Sequence, residues 1–233
     1  MKTVLLPLAA SALLAACQST PAPKTTARVP RTGAAMRVDA WLDEDCYWRS
    51  PTADHFTIAC APGKKPQRMR AWLAWAEDAL YFAFAADDTT LVAAPPSPRE
   101  HDVDAQDRVE IFLWSGRARD AYHCIEISPS GAVHDYAARF YRQFDDAWKP
   151  AGLRTAVRRD KRGYVVEGAI PRAALAAMGF MLRPGEKIRC GLFRADFHPD
   201  APKSPTWITW VDARTKEPDF HVAAAFGEIT LQP

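Results

Sequence analysis

Charged and aromatic side chains set inside apolar runs carry most of the chemistry this chain could perform. Glu110 stands in Arg108-Val109-Glu110-Ile111-Phe112, Glu126 in Cys124-Ile125-Glu126-Ile127, and Arg194 in Phe193-Arg194-Ala195. A carboxylate in so apolar a run needs a partner. Glu110 therefore either accepts hydrogen bonds from ligand hydroxyls or sits in an ion pair, for which Arg194 is the natural candidate. Arg194 with Glu126 is in turn either a ligand clamp or a conformational lock, because a planar guanidinium offers paired donors to oxygen acceptors. Trp148, after Phe144-Asp145-Asp146, falls in a loop that can present an aromatic plate or cover the core; Trp210 is a second platform, and Trp207 reads as a packing residue. His221 is a ligand or metal contact or a structural histidine. Asp87, Asp88 and Asp135 suit calcium by charge, though no contiguous EF-hand loop contains them. The chain holds no nucleophile elbow, HExxH, P-loop or dinucleotide fingerprint. Hydrolysis by two carboxylates needs a fixed separation that sequence does not supply for Glu110 and Glu126, so the chain reads as a non-catalytic binder.

Short β-rich runs must position these groups. Strands are expected over 70–76, 80–85, 108–114, 122–128, 133–139, 155–159, 164–170, 188–197, 206–211 and 227–231, bounded by Gly, Pro and charged clusters. One helix is expected over 171–178, with Pro171 at its first turn and Gly179 past its end. The fold class is all-β, an immunoglobulin-like or jelly-roll sandwich with one short helix. Alternation puts His123, Ile125 and Ile127 on one side of their strand, opposite Cys124 and Glu126; it puts Phe193, Ala195 and Phe197 opposite Cys190, Arg194 and Asp196. With both apolar sides turned to the core, Glu126 and Arg194 are expected to share an outer or concave face where a ligand would meet them.

The start of the chain reads as a lipoprotein signal peptide over 1–16. Lys2 supplies positive charge, residues 4–16 an apolar stretch of roughly 20 Å as a helix, and Leu14-Ala15-Ala16-Cys17 a cleavage site whose thiol takes lipid. That stretch is too short for a hydrocarbon core of about 30 Å. Residues 17–36, rich in Ser, Thr, Pro and Ala, read as the lipidated Cys17 and a flexible linker, and 37–233 as one sandwich domain. Multiple acyl chains on Cys17 would hold the protein on a membrane, and Gln18 after it favours the outer membrane facing the periplasm. Cys46, Cys60, Cys124 and Cys190 are disulfide candidates in such a compartment; the favoured pairings are Cys46–Cys60 as a local loop and Cys124–Cys190 as a cross-strand staple. The 30 basic and 28 acidic residues nearly balance, which argues against a nucleic-acid partner; Lys24, Arg28, Arg31 and Arg37 form a local basic tail.

The run Asp107-Arg108-Val109-Glu110-Ile111-Phe112-Leu113 resembles a strand of the family 9 carbohydrate-binding modules and their relatives. Four further stretches agree in order: Leu80-Tyr81-Phe82-Ala83-Phe84 with Asp87-Asp88; Glu126-Ile127-Ser128-Pro129-Ser130-Gly131 with Asp135 beyond; Val165-Val166-Glu167-Gly168-Ala169-Ile170-Pro171; and Gly191-Leu192-Phe193-Arg194 with Trp210, Phe220-His221 and Phe226-Gly227. The resemblance implies a sandwich that binds a sugar between two tryptophans, often with structural calcium. Here Asp104 and Phe220 stand at the two tryptophan positions, Cys124 at an arginine and Glu126 at an asparagine, while Glu110 keeps the ligand-contacting carboxylate; the chain has no asparagine at all. The expectation is a carbohydrate-binding envelope lipoprotein that takes a glycan, sugar acid or sugar-like ligand in a groove of the sandwich, in carbohydrate catabolism. Glu110, Arg194, Glu126 and Asp107 are its polar contacts, and Trp148, Phe220 and Trp210 its stacking residues. The alternatives are an envelope scaffold binding another protein, or a haem-binding domain whose ligands would be Met178, Met181 or the histidines.

Overall fold

The computed structural model describes residues 25–45 and 50–233. The expected signal peptide, Cys17 and the Cys46 end of one expected disulfide lie outside these residues. The strands in chain order are β1 (Thr26–Val29), β2 (Thr57–Ile58), β3 (Met69–Trp75), β4 (Ala79–Asp87), β5 (Arg108–Trp114), β6 (Tyr122–Ile127), β7 (Val133–Arg139), β8 (Gln143–Asp145), β9 (Arg154–Asp160), β10 (Gly163–Pro171), β11 (Lys187–His198), β12 (Ala201–Thr209) and β13 (Gly227–Leu231). The α-helix α1 (Arg172–Ala177) follows Pro171, whose missing N–H costs nothing at a helix start. Among the described residues, no helix is long and apolar enough to cross a membrane.

Two sheets pack face to face. The larger runs β1-β13-β11-β5-β6-β7-β8, with β12 also on β11 and β2 on β12; the smaller runs β3-β4-β10-β9. The core lies between them, built from Leu73, Trp75, Phe82, Phe84 and Val166 of the smaller sheet against Val109, Ile111, Leu113, Ile125 and Leu192 of the larger. This is the expected all-β sandwich, with α1 as a short helix at the end of β10.

Each sheet also buries its outer face. Trp72, Ala74, Tyr81 and Ala83 of the smaller sheet are covered by Met36, Val38 and Leu42. That cover is pinned where Glu167 Oε2 accepts the backbone N–H groups of Asp39 and Ala40 at 2.9 and 2.8 Å. On the larger sheet Phe112, Trp114, Tyr122, Tyr136 and Phe193 meet Phe220 and Phe226 from the long segment after β12. Burying both faces removes the polar side that alternation normally marks.

Three expectations need correction. Thr26–Val29, placed in the flexible linker, forms β1 instead and pairs parallel with β13; Val29 is fully buried, a single apolar residue being too weak a pattern to read from sequence. Cys124 and Cys190 form no disulfide. They lie opposite Phe112 and Leu113 respectively, consecutive residues of β5, so they project to opposite faces of the sheet, Cys124 into the outer cluster and Cys190 into the core. Cys60 is a free thiol whose Sγ donates to the Thr215 carbonyl at 3.0 Å.

Candidate functional site

Period-two geometry in β5 puts Arg108 and Glu110 on the outer face of the larger sheet. Antiparallel pairing then sets Glu126 of β6 opposite Glu110, and His134 of β7 opposite Glu126. The three side chains of the floor form one ionic group: Arg108 Nε lies 2.9 Å from Glu110 Oε1 and 2.6 Å from Glu126 Oε2. Tyr136 donates its hydroxyl to Glu126 Oε1 at 2.7 Å. Burial raises the Glu110 pKa, and the neighbouring Glu126 carboxylate raises it further, against the lowering influence of Arg108. Burial alone would lower the Arg108 pKa, but the two carboxylates outweigh it and hold the guanidinium firmly charged.

Above this floor opens a cavity of about 290 Å³ with an aromatic wall on each side. On one side Phe220 stacks on Phe193, ring centroids 4.1 Å apart, and meets Trp207 edge-on at 5.5 Å. Trp207 also covers the Arg108 guanidinium, 5.6 Å from its ring centroid. On the other side half-exposed Phe144 packs edge-on against Tyr136 and His221. The rim carries His101, Asp104, Asp146 and Arg142. Burial lowers the His221 pKa to about 4, and its Nδ1 lies 3.0 Å from the Tyr122 hydroxyl.

The structure thus brings together Glu110, Glu126 and Phe220, as expected, and adds His221. It separates the rest. Arg194 lies opposite Val109, whereas Glu110 lies opposite Phe193, so the two side chains leave the sheet on opposite faces. Arg194 is fully buried between the sheets, donating to Asp88 Oδ2 at 2.8 Å, Asp196 Oδ1 at 2.9 Å and the Asp87 carbonyl at 3.0 Å. Both sides of β11 carry apolar residues, and the side that looked like core, with Phe193, belongs to the outer cluster, while Cys190 and Leu192 beside Arg194 face the core. Asp107 is likewise internal: its carboxylate accepts the N–H groups of Val92 and Phe197, both at 2.6 Å, and burial pushes its pKa up to about 7.

Trp148 packs against the core and His123, ring centroids 4.6 Å apart, and Trp210 packs on the core beside Gly227; neither lines the cavity. Trp207, expected to pack, lines it. Sequence reasoning passed over Arg108, although its place two residues before Glu110 puts it on the same face. It also passed over His134, Tyr136, His101 and Phe144, which reach the cavity only through pairing across β6, β7 and β8 or through the turn at Glu100–Ala105.

The residues proposed for calcium do not fit that ion. Asp135 is held by Lys149 at 2.9 Å on the larger sheet, away from Asp87 and Asp88. Asp88, Asp107 and Asp196 do converge. Their oxygens are taken up by Arg194, by the Thr90 amide and by the amides that Asp107 binds, and the guanidinium already supplies the positive charge, leaving too few oxygens for six- to eight-fold coordination. Of the haem ligands considered, Met178 is in the core and Met181 is exposed, and neither lines the cavity, whereas His101, His134 and His221 do.

Three solved structures share this fold. A family 9 carbohydrate-binding module from Caldicellulosiruptor kristjanssonii in complex with cellotriose matches with a TM-score of 0.60 at 17% identity, covering 89% of this chain and 94% of that one. A module of the same family and organism in complex with glucose matches with a TM-score of 0.62 at 18% identity over 88% and 95%. A Bacteroides uniformis protein proposed to bind carbohydrate matches with a TM-score of 0.68 at 12% identity over 89% and 99%. No curated protein matches the chain. The family model described as carbohydrate family 9 binding domain-like matches residues 38–233, and with five ordered motifs and a shared sandwich behind that match, the chain belongs to this family.

Proposed function

We propose that the protein is a non-catalytic carbohydrate-binding lipoprotein of the cell envelope, and that the cavity over Arg108, Glu110 and Glu126 takes a neutral sugar ring. The observation that carries this reading is the pairing of a polar floor with aromatic walls from Trp207, Phe220 and Phe144. Carboxylates accept hydroxyl hydrogen bonds, and aromatic faces cover the apolar face of a sugar ring. At about 290 Å³ the cavity sits near the lower end of the range for small-molecule sites, a size that suits one or two sugar rings. Asp104, Glu110, Glu126 and Asp146 line it against Arg108 and Arg142, and Arg142 is paired with Asp219, so an acidic sugar meets net repulsion. The family's modules are non-catalytic, and the glucose- and cellotriose-bound relatives make glucose-type sugars the first to try.

Calorimetric titration with glucose, cellobiose, cellotriose and a broad panel of neutral and acidic oligosaccharides tests the site. Saturable binding of a neutral sugar, weakened at least tenfold in Phe220→Ala and in Glu126→Gln, is the expected result. Nothing tighter than millimolar across the panel overturns the function and leaves the fold untouched. Anchoring through Cys17 is part of the same proposal: the wild type should partition with membranes, whereas Cys17→Ala should be recovered in the soluble fraction.

A further inference from the structure

At the mouth of the cavity the turn Glu100–Ala105 and β7 bring His101, Asp104 and His134 together, one ligand-capable atom of each lying within 4.8 Å of the others. Asp104 is the hub: its Oδ1 is 2.9 Å from His134 Nδ1 and its Oδ2 3.0 Å from His101 Nδ1, with the two imidazole rings 4.4 Å apart. A hydrogen-bonded triad alone leaves one feature over. His134 is only 4% exposed and presents its Nδ1 to the cluster. His101 turns its second nitrogen away from the cluster to Asp146 Oδ2 at 3.3 Å, the carboxylate–histidine arrangement that orients a metal-ligating imidazole.

The geometry points to a divalent transition-metal site of the zinc class at the cavity mouth, with His101, Asp104 and His134 as ligands and Asp146 as the orienting carboxylate. Two imidazoles and one carboxylate form a donor set that suits zinc and leaves a fourth position for water or a ligand oxygen. The two nitrogens face separate oxygens of Asp104, at 2.9 Å from Oδ1 and 3.0 Å from Oδ2, so loading requires the carboxylate to turn one oxygen toward both, at the ligand–ligand edge of about 3.3 Å of a tetrahedral site with zinc bonds near 2.0–2.1 Å. Asp104 and Asp146 supply two negative charges against the ion. The nearest guanidinium, Arg108, is paired with Glu110 and Glu126 and steadies the Asp104 backbone by donating to its carbonyl at 3.0 Å. Asp104 also stands where the family resemblance places a sugar-stacking tryptophan, so a coordinated ion occupies one wall of the mouth in place of an indole.

This inference does not depend on the sugar reading and is tested without sugar. Chelator-treated full-length protein is dialysed to equilibrium against zinc chloride, and bound zinc is counted. One zinc per chain at micromolar or tighter affinity is expected, weakened at least tenfold in His101→Ala and in Asp104→Asn, and cobalt(II) in its place should give the visible absorption of a tetrahedral nitrogen–oxygen site. His101 is more than half exposed, so its variant should fold normally and keeps the test decisive even where a His134→Gln chain fails to fold. Substoichiometric uptake overturns the site. Full uptake retained by His101→Ala overturns it equally, because the ion then sits elsewhere.

Discussion

Arg108 holds two buried carboxylates that would otherwise face each other across β5 and β6. Removing one partner of a buried ionic group leaves an uncompensated charge, at a cost of about 3–5 kcal/mol. Arg108→Ala should therefore lower the urea-unfolding free energy by that order, whereas Glu110→Gln, which leaves Arg108 paired with Glu126, should cost much less; equal losses in the two variants would contradict the assignment. His123 gives a pH test. It faces the core against Trp148, and burial lowers its pKa to about 4 from an ordinary 6.5. Between those values the unfolded chain binds a proton that the folded chain refuses, so this residue makes stability fall as pH drops from about 6.5 to 4, by up to about 1.4 kcal/mol per pH unit. His123→Phe keeps a ring against Trp148 and should flatten the unfolding free energy measured over that window.

At the scale of elements, the positions of the strands were legible and their faces were not. Each run expected to be β appears as a strand or part of one, because Gly, Pro and charged clusters mark the turns and β-branched and aromatic residues fill between them. Alternation then assigned Glu126 correctly and Arg194 wrongly. The difference is that the carboxylate of β6 lies on the outer face, whereas β11 has large apolar residues on both sides, Leu192 toward the core and Phe193 toward the outer cluster, so its buried Arg194 could not be assigned a face by polarity. Trp207, in β12, and Trp210, just past its end, were not sorted either, and the cavity took the one expected to pack. Gly191 shows how tightly the outer face is built. A Cβ there would lie 2.3 Å from the Phe193 ring, on which Phe220 stacks. Gly191→Val should displace both rings and weaken sugar binding at least tenfold by calorimetry, while Gly33→Ala, with nothing within 4 Å of its Cβ, should change neither binding nor melting temperature.

Taken as a whole, the molecule closes on itself through its first strand. Val29 is fully buried, β1 extends the larger sheet beside β13, and the Pro30 carbonyl accepts the Trp75 N–H at 3.0 Å, which ties that edge to the other sheet. A chain shortened to begin at Arg31 loses this strand, and losing one buried valine alone costs about 1.5–3 kcal/mol. Thermal denaturation should show the shortened chain melting several degrees below one that begins at Thr25, with a larger fall if the edge of β13 frays.

The early start of β1 also sets the reach of the protein. If the chain is held by lipid at Cys17, only eight residues, 18–25, separate the anchor from the sheet, and fully extended they cover at most about 28 Å. The domain itself, rather than a long leash, would then sit against the bilayer, and the sugars within its grasp would be those displayed in the first layer above the lipid headgroups.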